Sequence, residues 1–138
     1  MAHRMTILLQ SGDSYAFQLT LNAIAVGVSA EMPVTVLVAG WAAERLQNGR
    51  TNMLQLPAFA AGREDDLKTG MTKAGMDDPH AFLKKLKAAG DVQLFLCSQT
   101  PRVLGLDVDD LINEVDGQMG MTAFLLEHAA NADVQLTF

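Results

Sequence analysis

The chain has one cysteine, Cys97, and one tryptophan, Trp41. A single thiol closes no internal disulfide and builds no multi-cysteine zinc site, so any sulfur chemistry is single-thiol or intermolecular. Histidine is scarce as well: His3, His80 and His128 stand far apart, none at metal-ligand spacing. Neither a metal nor a cofactor is therefore expected. Positive charge is in deficit, 10 Lys and Arg against 16 Asp and Glu. That balance argues against nucleic acid, whose partners carry a basic face. Phosphate-loop glycines are missing too, since "QSGDS" has one glycine where a dinucleotide or Walker motif needs several. The stretch "DVDDLINEVDG" is acidic but lacks the glycine and alternating oxygen ligands of a calcium loop. Long apolar spans are lacking. Residues 14–30, "SYAFQLTLNAIAVGVSA", carry no charge, but they include Gln18, Thr20, Asn22 and Ser29. The stretch lies at the short edge of a bilayer span and reads as a buried helix. "MAHRMTILLQ" shows no cleavage pattern, so stable membrane insertion is not expected and the expected location is cytoplasmic.

What is present is a regular alternation. With 49% hydrophobic residues in 138, the chain reads as a single domain over residues 1–138, long enough to enclose a core. Residues 5–10 read as a strand, and Asp13 or Ser14 caps a helix to about Ala30. "VTVLVAG" (34–40) is a second strand, followed by a short helical "WAAERL". A helix over 78–90 is capped by Asp78, with Pro79 at its first position and Gly90 at its end. Phe82, Leu83 and Leu86 form its apolar stripe, with Lys84, Lys85 and Lys87 facing water. "VQLFLC" (92–97) is the third strand, "VDDLINEV" a short helix, "MTAFLLEHAA" a longer one and "DVQLTF" the closing strand, with a weak strand signal near Val115. Apolar strands alternating with helices predict a three-layer α/β/α sandwich around a mainly parallel sheet of about five strands, flavodoxin-like in topology.

Two segments stand apart. On residues 14–30, Phe17, Leu21, Ile24 and Val28 line one helical face, and Leu19, Ala23, Val26 and Ala30 line the opposite one. Covering a sheet takes one apolar stripe, so the second predicts burial by another subunit or by the middle of the chain. That middle, residues 49–77, is rich in Gly and Met and too long for an ordinary connection. It reads as a lid or as a surface excursion with one irregular helix.

In open parallel α/β sheets, ligands sit outside the carboxyl ends of the strands. Three features fall there: "SGD" with Gly12, "GW" with Trp41, and "CSQT" with Cys97, Ser98 and Thr100. Thr100 reads as a helix cap with Pro101 at the first position, aiming backbone N–H groups at Cys97, with Arg102 close in sequence. Such surroundings raise the thiolate fraction of a thiol. A free cysteine is as often a small buried hydrophobe, so position alone leaves reactive and inert readings level.

The stretch "GDVQLFLCSQTPRVLGLDVDDLINEVDGQMGMTAFLLEHAANADVQLTF" resembles the DsrE/DsrF-like family of sulfur-relay proteins. Within that family it is most similar to the branch labelled peroxiredoxin-like or sulfur-reductase-like. The resemblance rests on a cysteine ending the third strand, a hydroxyl residue three later, "LGL" before an acidic helix, a "GQMG" turn, an alanine-rich helix and a terminal "ADVQL" strand. It implies a DsrEFH-like domain assembled as a trimer or hexamer, with Cys97 carrying sulfane sulfur as a persulfide or thiosulfonate. Ser98, Thr100 and neighbouring N–H groups would hold the sulfur or its oxygens, with Gly12 and Trp41 on the same edge. A small TusA-like sulfur carrier is the implied partner. The alternative is an oligomeric binding or structural protein with an inert cysteine. A peroxide-reducing enzyme normally needs a resolving thiol, which is missing. A phospho-receiver needs an acceptor aspartate where this chain has "CSQ".

Overall fold

The computed structural model describes residues 3–138. Five short strands form one sheet: β1 (Met5–Leu9), β2 (Val34–Val38), β3 (Val92–Cys97), β4 (Gly117–Met119) and β5 (Val134–Thr137). Their order is β4-β3-β2-β1-β5, and every neighbouring pair is parallel. Helices lie against both faces, giving the expected three-layer α/β/α fold of the flavodoxin-like kind.

Strand alternation divides the core. Met5, Ile7 and Leu9 of β1, Val34, Val36 and Val38 of β2, and Val92, Leu94 and Leu96 of β3 share one face, all buried. Against them pack α1 (Ser14–Ser29), a 3-10 stretch Gly40–Leu46, and α3 (Pro79–Ala89); α2 (Glu64–Lys73) lies between the last two in sequence. The other face is smaller. Leu37, Cys97 and Ala39, with Leu8, Phe95 and Met119 beside them, meet Phe124 and Ala129.

Asp13 caps α1 by accepting from the Tyr15 N–H at 3.0 Å. Asp78 caps α3 by accepting from the Ala81 N–H, and Asn52 Nδ2 adds a second donor. Those two bonds, the backbone one foremost, hold the Asp78 carboxyl below the usual carboxylate range. Lys87 does not simply face water as expected, because its Nζ reaches Asp116 at 2.5 Å and the Val92 carbonyl at 3.1 Å.

Two expectations are corrected, and the weak strand signal near Val115 is met by β4. Residues 108–115 are not a helix. Asp107 accepts from the Asp109 N–H at 2.9 Å, a local side-chain bond that competes with helix winding. The Ile112 N–H then donates to the Leu46 carbonyl and Leu111 bridges to Gln47, so the segment runs against the end of the 3-10 stretch. The fourth strand begins at Gly117, two residues past Val115. The last helix changes winding along its length: α5 (Met121–Ala123) passes into a π turn (Phe124–His128) and a 3-10 turn (Ala129–Asn131). The π turn sets Phe124 and Ala129, five apart, on the same inward face.

The middle segment holds a 3-10 turn (Ala58–Ala60) and the ten-residue α2, more structure than its composition suggests. It is tied down through Arg45, which is 2% exposed and has no carboxylate partner among the described residues. The Arg45 guanidinium donates to the carbonyls of Thr51, Met53 and Gly12 and to Ser14 Oγ. Its face lies 5.4 Å from the Phe17 ring centroid. Burial pulls its pKa down from the ordinary value and nearby Asp13 pushes it back up. Ser14 Oγ also accepts from the Gln55 N–H at 2.7 Å, adding a second tether.

Arg45→Met keeps the apolar stem and strands the Thr51 and Gly12 carbonyls without donors, while Ser14 Oγ keeps the Gln55 N–H and the Met53 carbonyl keeps the Ser14 hydroxyl. The substitution is expected to cost about 2–4 kcal/mol, from the desolvation of buried acceptors left unpaired. Limited proteolysis at Arg50, Arg63, Lys68 and Lys73 accelerates before global unfolding, and chemical denaturation with timed digestion checks both effects.

Candidate active site

The carboxyl ends of β2 and β3 frame an open cavity of about 380 Å³. Cys97, Thr100, Trp41 and Met121 line it, with Gly40 and Val103. Parallel pairing of Val38 with Leu96 brings these strand ends side by side. Gly40 turns the chain out of β2 with φ +58°, a left-handed conformation that glycine adopts without a Cβ penalty. Its N–H then donates to Thr100 Oγ1 at 3.2 Å, linking the turn after β2 to the turn after β3.

Thr100 therefore has a different role from the expected cap. The helix α4 (Thr100–Leu104) has Gln99 in the cap position, and the Thr100 hydroxyl is engaged with Gly40 instead. Among the described residues, the Gln99 and Thr100 N–H groups make no hydrogen bond, so two backbone donors remain free in the turn that follows Cys97.

The predicted residues converge in part. Cys97, Thr100 and Trp41 share the cavity. Ser98 does not line it: its N–H continues the β3–β4 ladder to the Met119 carbonyl, and its Oγ lies near Gly120. Gly12 is outside the cavity but touches its back wall, where an added Cβ would lie 3.2 Å from Trp41 Cβ and 2.9 Å from Gln55 Oε1. Arg102 is exposed and not part of the lining. Residues 49–77 reach the carboxyl edge at Gln55 without lining the Cys97 cavity.

The walls are largely apolar, with Gln99 and Thr100 as their polar members, and carry no charged side chain. Cys97 is 5% exposed, whereas Trp41 is 64% and Val103 70% exposed, so a recessed thiol sits behind an apolar rim. Sequence reasoning missed Val103 and Met121, which come from the segments after β3 and β4. A second cavity, about 480 Å³, lies between Tyr15 at the start of α1 and Phe59 and Leu67 of the middle segment. Among the described residues, no cluster of three or more His, Cys, Asp or Glu has metal-site geometry.

The sequence matches no protein-family model and no curated protein. In three dimensions the chain is similar to the solved structure of MTH1491 from Methanobacterium thermoautotrophicum, described as a protein of unknown function. The match has a TM-score of 0.61 over 99% of both chains, at 14% identity. A likeness at that identity concerns the fold alone.

Replacing Thr100 by Val removes the acceptor for the Gly40 N–H and is expected to cost about 1–2 kcal/mol. The two turns then part, and alkylation of Cys97 by iodoacetamide accelerates in the folded protein. Trp41, the sole tryptophan, reports the same loosening as a shifted fluorescence maximum.

Proposed function

We propose that the chain is a sulfur-relay protein that carries sulfane sulfur on Cys97. The observation supporting this most is the position of the only cysteine, on the wall of an open cavity at the carboxyl edge of a parallel sheet. The resemblance to DsrE/DsrF-like proteins supplies the chemistry. The Cys97 thiolate attacks the outer sulfur of thiosulfate; a new S–S bond forms, the old one breaks, and sulfite leaves with the bonding pair. The product is a Cys97 persulfide, and the step needs neither oxidant nor metal. The free N–H groups of Gln99 and Thr100 are the donors for the persulfide anion or for thiosulfonate oxygens. Delivery goes to the thiol of a small TusA-like carrier in the cytoplasm.

Assembly belongs to the same proposal. On α1, Phe17, Leu21 and Ile24 are buried in the core, while Leu19 and Val26 on the opposite stripe are 38% and 62% exposed. We assign that stripe to a contact between copies in a trimer or hexamer. Val26→Glu is expected to give a folded chain of lower mass by sedimentation; a wild-type chain that sediments as a monomer removes the assembly from the proposal.

A second reading has its own observation. Cys97 packs with Leu37, Ala39, Phe124 and Ala129, as a small apolar residue of the minor core does. In that reading the thiol is inert and the domain is a binding or structural protein. Mass analysis after incubation with polysulfide or thiosulfate separates the two. Wild type gains sulfur that reduction removes, and Cys97→Ser, close in size, gains none and keeps its fold. Wild type that stays unloaded, with a thiol silent to alkylation up to mildly alkaline pH, establishes the inert reading.

A further inference from the structure

Parallel strands covered on both faces are ordinarily apolar on both. Here the second face of the sheet changes character along its length. Its carboxyl half carries Leu8, Leu37 and Phe95 under the last helix. Its amino half carries Thr6, Thr35 and Gln93, which are register partners across β1, β2 and β3. These three line a cleft of about 220 Å³ together with Arg4, Asp91 and His128.

The side chains in this cleft are uncommitted. Thr6 is 4% exposed, and its hydroxyl, which bonds no protein group among the described residues, is open to the cleft rather than sealed in the core. The neighbouring polar side chain on β5 behaves otherwise: Gln135 Nε2 donates to the Ala129 carbonyl at 2.5 Å. Arg4 uses its backbone N–H on Asp133, but its guanidinium has no carboxylate partner among the described residues. Asp91 has no cationic partner among them either.

Arg4 precedes Thr6 by two residues and Asp91 precedes Gln93 by two, so both sit on this face, two strands apart. Strand spacing separates their Cα atoms by roughly 10 Å. The cleft thus offers a cation with an imidazole at one end, an anion at the other, and hydroxyl and amide groups between. A simple anion would meet Asp91, and a simple cation would meet Arg4. The volume is smaller than the roughly 300–1,000 Å³ of pockets for drug-sized ligands.

We propose that this cleft binds a small zwitterion of amino-acid to dipeptide size, with its carboxylate toward Arg4 and His128 and its ammonium toward Asp91. The cleft lies at the amino ends of the strands, away from the Cys97 cavity, and the inference does not rest on the sulfur-relay reading.

The test is a titration of the full-length ¹⁵N-labelled protein, followed by NMR, with glycine, γ-aminobutyrate and glycylglycine as zwitterions and butyrate and butylamine as single-charge controls. At least one zwitterion gives saturable shifts at the Thr6, Thr35 and Gln93 amides, with both controls at least about tenfold weaker. Arg4→Gln and Asp91→Asn, both at exposed positions, each weaken that ligand by about tenfold or more, while Cys97→Ser leaves its affinity unchanged. Thr6→Val weakens binding with the fold retained, and a Thr6→Val chain that fails to fold leaves the two charge variants as the deciding pair. Butyrate binding as well as the best zwitterion, with Asp91→Asn silent, would overturn the zwitterion assignment. Absence of any saturable shift in the cleft would overturn the site itself.

Discussion

A buried guanidinium with no carboxylate partner among the described residues organises the carboxyl side of this molecule. Arg45 lies on the inner side of the 3-10 stretch beside Ala42 and Leu46 and satisfies backbone acceptors from two separate loops. A charge this deep is tolerated where most of its donors are used: the two terminal nitrogens serve the Thr51, Met53 and Gly12 carbonyls, acceptors that would otherwise be costly to bury, while Nε has no partner among the described residues. Each solves the other's problem. The turn after β1 and the start of the middle segment are thereby joined, and Gln55 is set against Gly12 and the back of Trp41. The rim of the Cys97 cavity is thus built on a contact made a strand away.

Much of the fold was legible because local and global signals agree. β-Branched and leucine-rich runs marked β1, β2, β3 and β5 to within a residue or two, and Asp13 and Asp78 marked helix starts through chemistry that acts locally. The failures lie where tertiary contacts decide. "VDDLINEV" has helical spacing, but Asp107 and the pairing of Ile112 with Leu46 take its backbone elsewhere. Nothing local distinguishes a π turn from an α turn in "FLLEH". The cavity was half legible: Cys97, Trp41 and Thr100 follow from strand ends, while Val103 and Met121 depend on how α4 and α5 lean. Arg45 had one available signal, its place on the apolar side of "WAAERL".

The second face of the sheet is divided between two environments. Phe124 and Ala129 seal its carboxyl half and enclose one side of Cys97, and His128 stacks on Phe124 with ring centroids 6.4 Å apart. The same histidine borders the polar cleft. The last helix is therefore the wall between an apolar thiol environment and a hydrophilic groove, and its winding sets what each side presents.

The strand order has a bearing on how the chain is made. β1 is an interior strand, yet one of its two neighbours is β5, whose Val134 pairs with Met5 near the other end of the described chain. Contacts so distant in sequence close late, because the intervening loop entropy must first be overcome. During translation at roughly 5–20 residues per second, the β1 flank facing β5 stays bare until residues 134–137 have emerged. Until then a nascent chain of this topology carries an unpaired β-edge on β1, the kind of edge that invites pairing with other chains.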